Sequence, residues 1–184
     1  MTSTEQPVPP VLTWIDLEMT GLEPESDVIL EAVVVVTGID LVEVAASETL
    51  VIHQPDNVLD GMNAWCVSQH GKSGLTAACR ASRLTTAEAE QQLLAFLRQH
   101  AKDGAVPLCG NSVHQDRAFL RRHMPTLEAF FHYRNIDVST LKELARRWAP
   151  ALPKFDKPEA HRALDDVRAS VAELRYYREH LFKS

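Results

Sequence analysis

Four consecutive valines, Val33 to Val36, lie inside an almost unbroken apolar run from Val28 to Thr37. β-Branched side chains crowd a helix and suit a pleated strand. A strand that is apolar at both parities cannot leave one face in water. It needs cover on both sides, which helices supply. Val11 to Leu17 has the same character, with Val11, Leu12, Trp14, Ile15 and Leu17. Two such strands close together predict an α/β fold in which a mixed central sheet is flanked by helices.

The rest of the chain supplies the cover. Leu41 to His53 reads as a third strand, joined to the second by a hairpin loop at Gly38-Ile39-Asp40. Met62 to Ser82 reads as helical pieces broken at Gly71 and Gly74. Thr86 to Ala101 has Ala89, Leu93, Leu94, Phe96 and Leu97 at helical spacing, with Thr85 or Thr86 as cap. A short strand from about Val106 ends at Gly110-Asn111. A helix from Ser112 to Met124 follows, bounded by Pro125. Asn135 to Val138 reads as a strand, and Ser139 or Thr140 caps a helix to Trp148. Pro150 to Pro158 is a loop. The last helix, about Glu159 to Phe182, carries Leu164, Val167, Val171 and Leu174 as one stripe. Residues 1–10 read as a flexible lead-in and 11–184 as one domain, as expected of 184 residues.

Composition narrows the function classes. A net charge of -6 argues against tight binding of long duplex nucleic acid, which needs many Lys and Arg contacts to phosphate. A short anionic substrate stays possible. No apolar run approaches the ~20 residues that span a bilayer. The start of the chain does not read as a signal peptide. Cys66, Cys79 and Cys109 form no CxxC pair, which points to a reduced, cytoplasmic setting.

The acidic residues resist a bland reading. Asp16 and Glu18 lie two apart at the end of an apolar strand, so both project from the face that Trp14 shares. Side-by-side carboxylates repel and resist burial unless a cation sits between them; the alternative is a solvated strand end. Asp116 falls in the first turns of its helix, where an acid also complements the dipole. Asp165 points away from the apolar stripe of the last helix and Asp166 lies near its border, so Asp166 is the better ligand candidate. His161 precedes both. Oxygen ligands of this kind suit Mg²⁺ or Mn²⁺. Two such ions can clamp a phosphoryl displacement, and a histidine can deprotonate the attacking water. Spacing alone does not show that these segments meet.

Trp14-Ile15-Asp16-Leu17-Glu18-Met19-Thr20-Gly21-Leu22 closely resembles the first exonuclease motif of the oligoribonucleases. Gly110-Asn111-Ser112 with Asp116 resembles the second. His161-Arg162-Ala163-Leu164-Asp165-Asp166 resembles the third, found throughout the wider DEDDh exonuclease group. Phe131-His132-Tyr133-Arg134 and Asp137-Val138-Ser139-Thr140-Leu141-Lys142-Glu143-Leu144 narrow the likeness to oligoribonuclease, and it covers almost all of the chain after residue 10.

The resemblance implies an RNase H-like fold, a homodimer and two divalent cations. It implies 3′-to-5′ removal of nucleotides from very short single-stranded RNA, down to dinucleotides, releasing nucleoside 5′-monophosphates. Asp16, Glu18, Asp116 and Asp166 would bind metal, and His161 would be the general base. Tyr133 would reach the partner's active site. Leu22 would wedge against the terminal bases, with Trp65 and His70 as further base-side contacts. Ser112, with Arg134 and Ser139 from the partner, would hold the 5′ phosphate. Without the resemblance Trp65 and Tyr133 read as core or interface aromatics, and Arg134 as a solvated charge. Two rival readings are a DNA-directed exonuclease of the proofreading type and a non-catalytic RNA-binding dimer.

Overall fold

The computed structural model describes residues 11–156 and 162–182. The lead-in 1–10 and the expected helix start near Glu159 lie outside the described residues, as does His161. The strands are β1 (Val11–Met19), β2 (Ile29–Gly38), β3 (Glu43–Ala46), β4 (Leu50–Val51), β5 (Pro107–Gly110) and β6 (His132–Asp137). They form one six-stranded sheet in the order β3-β2-β1-β5-β6, with β4 also paired to β2. β2 runs antiparallel to β1, whereas β5 is parallel to β1 and β6 to β5. The sheet is mixed, as expected.

The helices are α1 (Asp56–Leu59), α2 (Ala64–Lys72), α3 (Leu75–Ala81), α4 (Thr86–Leu97), α5 (His114–His123), α6 (Pro125–Phe130), α7 (Val138–Trp148) and α8 (Ala163–Leu181). Both faces of the two long strands are covered. Ile15, Leu17, Ala32 and Val34 pack with residues of α4 and α5. Trp14, Val33 and Val35 pack with Ala145 of α7 and with Val167, Val171 and Tyr177 of α8. The valine run therefore divides by parity, two neighbours to opposite cores. Among the described residues no helix is long and apolar enough to cross a membrane. Cys66, Cys79 and Cys109 are free and buried.

Several elements differ from expectation. The third strand is two pieces, because Ser47 intervenes: its hydroxyl accepts the Val34 N–H (3.0 Å) while its own N–H donates to the Val34 carbonyl (2.8 Å). The preceding turn extends to Leu41, whose φ is 70° and whose N–H donates to the Gly38 carbonyl (3.0 Å). α2 runs through Gly71, and the break falls at Gly74, where φ is 79°. A helical glycine costs only ~1 kcal/mol against alanine, so packing overrides it. Pro125 ends one helix and opens α6 as its first residue.

α7 is capped by Asp137, whose carboxylate accepts the Ser139 N–H, rather than by Ser139 or Thr140. Thr85 caps α4 in a capping box with Glu88. Thr85→Ala is expected to cost about 1 kcal/mol in a urea melt, because the Glu88 N–H at the helix start loses the Thr85 hydroxyl as its acceptor.

Sheet direction positions the site. β1, β5 and β6 run parallel, so their carboxyl ends emerge at one edge, where open α/β sheets bind ligands. That edge receives Asp16 and Glu18 from β1, Gly110-Asn111-Ser112 from β5, and Asp137 from β6. A Cβ on Gly110 would sit 3.1 Å from the Ile15 carbonyl oxygen and 2.9 Å from Val113, so only glycine lets β5 and its turn close on β1.

Candidate active site

Along one face of β1 the environment changes from apolar to acidic. Trp14 is buried opposite Val35, Asp16 lies opposite Val33, and Glu18 lies opposite Glu31. The first turns of α8 pass over the acidic part. One carboxylate oxygen from each of Asp16, Glu18 and Asp166 lies within 4.8 Å of the others. Asp165, one residue earlier, faces solvent.

Close packing of these groups carries an electrostatic cost. The Glu18 carboxyl is pushed up to about 8, first by burial and then by Asp166, Glu31 and Asp116, with Arg162 pulling it down. Asp116 is buried in the first turn of α5. β5 pairs with β1 only at Thr13 and Trp14. Beyond that point Asp116 Oδ1 accepts the Leu17 N–H (3.1 Å). Burial pushes its carboxyl up to about 7, with Asp137 adding to the rise and the Leu17 N–H opposing it. Asp116 thus adjoins the three clustered carboxylates without being one of them.

A cleft of about 430 Å³ opens beside Glu18, lined by Met19, Leu22, Asn63, Trp65, Cys66 and His70 among others. Leu22 is 68% exposed and Trp65 65%. The Leu22 carbonyl accepts a hydrogen bond from the Gln115 side chain, which ties this loop to α5. His70 is almost wholly buried and shares a 2.9 Å hydrogen bond between Nε2 and the Met19 carbonyl, so Nε2 carries the proton. Its Nδ1 is 3.9 Å from Glu18. Burial lowers its pKa, which keeps the ring neutral. His70 therefore lines the cleft and braces the end of β1.

Ser112 and Ser139 meet on Asp137. Its Oδ1 accepts the Ser112 N–H (2.9 Å), the Ser139 N–H (2.9 Å) and the Ser139 hydroxyl (2.6 Å). Ser112 has a φ of 54°, a conformation that a non-glycine residue keeps only when its surroundings hold it. Tyr133 is 73% exposed, with the Arg134 guanidinium 5.2 Å from its ring centre. Both lie in a bulge: His132 pairs with Pro107 and Asn135 with Leu108, so two residues are looped out between them.

Glu31, Asp137 and Gln115 were not singled out by sequence reasoning. An acid inside an otherwise apolar strand was a signal available for Glu31. For Asp137 the signal is its N-cap position two residues before Ser139, whereas Gln115 has no local pattern because its partner, the Leu22 carbonyl, is distant in sequence.

Residues 13–174 match the exonuclease family. The oligoribonuclease of Bordetella pertussis is 59% identical over 173 residues, covering 94% of this chain and 96% of that protein. The oligoribonuclease of Pseudomonas aeruginosa is 56% identical over 176 residues, covering 95% and 98%. Among solved structures, exonuclease I from Methylocaldum szegediense gives a TM-score of 0.71 at 20% identity over 93% of this chain, which spans 41% of that one. The zinc-bound complex of exonuclease I from E. coli with single-stranded DNA gives 0.73 at 15% identity, with coverages of 94% and 41%. At such identities these two structures speak for the fold alone.

Proposed function

From the membership of this chain in the exonuclease family, and within it in the oligoribonucleases, we infer that the carboxylates gathered at the strand ends are its catalytic site. The chain is a 3′-to-5′ exoribonuclease of short oligoribonucleotides. The observation that carries the assignment of the site is the meeting of Asp16, Glu18 and Asp166 oxygens within 4.8 Å. The donors are all carboxylate oxygens, which fits a hard divalent cation. Glu18, whose carboxyl is pushed up to about 8 by burial and then by its acidic neighbours, is brought down by such a charge.

Asp16, Glu18 and Asp166, with Asp116 alongside, would hold two ions, Mg²⁺ or Mn²⁺. When bound, they supply charge stabilisation at the phosphoryl oxygens and lower the pKa of coordinated water. His161 takes the proton of the attacking water, and a nucleoside 5′-monophosphate leaves. Leu22 and Trp65 present apolar surface to the terminal bases, and stacking of this kind is worth ~1–3 kcal/mol per base without sequence preference. Ser112, Arg134 and Ser139 hold the 5′ phosphate, the guanidinium fork suiting its oxygens. Tyr133 and Arg134 act across a homodimer, in keeping with their exposure on a bulged edge strand. The protein works in the cytoplasm.

The experiment is a labelled series of two- to seven-residue RNAs with matched DNA, each with and without chelator. Hydrolysis from the 3′ end that persists down to the dinucleotide, prefers RNA and stops with chelator is the expected result. Equal rates on long single-stranded DNA would show a DNA exonuclease instead. Binding without turnover at any length would show a non-catalytic dimer.

A further inference from the structure

We propose that Glu31 is a positioning residue of the catalytic site, whose carboxylate holds the Arg162 guanidinium away from the metal-binding carboxylates. The proposal rests on the reading of Asp16, Glu18 and Asp166 as a metal site. Glu31 has 0% exposure and lies directly opposite Glu18 in the β1–β2 register. Opposed residues of an antiparallel pair face the same side, and like charges there repel. A buried carboxylate in that place needs a partner.

Arg162 is that partner. Its Nε donates to Glu31 Oε1 (3.2 Å) and its Nη2 to Oε2 (2.7 Å), a two-pronged pair. Oε1 also accepts the Ala163 N–H (3.1 Å), the first of α8. Arg162 itself offers that helix no side-chain cap, so Glu31 does so from the neighbouring strand. One turn on, the Asp166 N–H donates to the Arg162 carbonyl (3.0 Å). Glu31 therefore fixes both the guanidinium and the backbone turn that presents Asp166.

The alternative partners of Arg162 are close. After Glu31, the acids that most affect its guanidinium are Glu18 and Asp165. With the Glu31 charge removed, the guanidinium turns to Glu18 and competes with any cation there. In the native arrangement Glu31 takes that charge, and Glu18 stays available to metal.

The test compares wild type, Glu31→Gln and the double variant Glu31→Gln/Arg162→Met. The glutamine keeps an oxygen for the Ala163 N–H but loses the charge. Mn²⁺ binding is followed by electron paramagnetic resonance without substrate, and kcat and KM are measured on a linear RNA dinucleotide. Glu31→Gln is expected to weaken Mn²⁺ by ~10-fold or more and to lower kcat, with KM changed less than ~2-fold. The double variant is expected to regain Mn²⁺ affinity to within ~3-fold of wild type, since no guanidinium remains to compete. Wild-type Mn²⁺ affinity in Glu31→Gln, or a double variant as weak as the single one, overturns the proposal. Should the single variant not fold, the double variant decides on the same criterion. A wild-type protein that neither binds Mn²⁺ nor hydrolyses RNA defeats the metal-site reading itself, a separate result.

Discussion

Glu18→Gln is expected to slow turnover of a linear RNA dinucleotide by ~10³-fold or more, while raising the melting temperature of the chelator-treated protein. The first effect follows from the proposed metal site, which would lose one oxygen donor and with it part of several kcal/mol of charge stabilisation. The second follows from the cost of the site when no cation is present. The Glu18 carboxyl sits at about 8 in the fold against 4.5 in the reference state, raised by burial before its acidic neighbours. Between those values the folded protein holds a proton that the unfolded chain has released. Its stability contribution is complete below about 4.5 and is lost as pH rises through about 8. Glutamine carries no such dependence. The melting-temperature gap between variant and wild type should therefore widen from pH 5 to pH 8 in chelator. Added Mn²⁺ should reverse it, because the cation binds only the ionised carboxylate and stabilises wild type. Melts at several pH values with chelator and with Mn²⁺ read both signs. A variant that melts below wild type in chelator throughout the range would contradict this account of the site.

Part of that site is legible in the sequence. The two-residue strand period placed Asp16 and Glu18 on one face, and the helical period separated Asp166 from Asp165. Both are local rules, and both hold because the elements are regular there. The meeting of β1 with α8 across nearly the whole chain is not local, and only the likeness to known motifs anticipated it. Asp116 shows the limit at the level of atoms. Its place near the site follows from its motif, but its bond to the Leu17 N–H depends on β5 ending before β1 does. The same holds for turns and caps. Ser47 divides a run that reads as one strand, through a bond to Val34 that no neighbouring residue signals. Asp137, not Ser139, caps α7 because the helix begins at Val138, and the same carboxylate also accepts the Ser112 N–H, 25 residues away.

Arg117→Met is expected to cost ~3–5 kcal/mol of stability, the loss typical of breaking a buried charged pair from one side. Arg117 follows Asp116 on α5 and is 7% exposed. Its Nε donates to Glu128 (2.9 Å), and its two terminal nitrogens reach the His132 carbonyl (2.7 Å), the Tyr133 carbonyl (3.0 Å) and the Asn135 side chain. Those carbonyls belong to the bulge of β6, where the ladder with β5 is interrupted. Pro107 opposite has no N–H to offer. The guanidinium therefore replaces strand pairing for the segment that displays Tyr133 and Arg134. Methionine fills similar volume but leaves the Tyr133 and His132 carbonyls and Glu128 short of donors, although Arg121 also reaches Glu128 (3.3 Å). Lysine keeps the charge yet lacks the planar fork, and should recover only part of the loss. Urea melts measure the stability. Below the transition, Mn²⁺ affinity should stay within ~2-fold of wild type, since the carboxylates lie on other elements. KM for a dinucleotide should rise, because Tyr133 and Arg134 lose their fixed presentation. An unchanged melt would remove Arg117 as the anchor of the edge strand. A rise in KM without loss of metal binding would separate the proposed substrate capture at β6 from the proposed chemistry at β1 and α8.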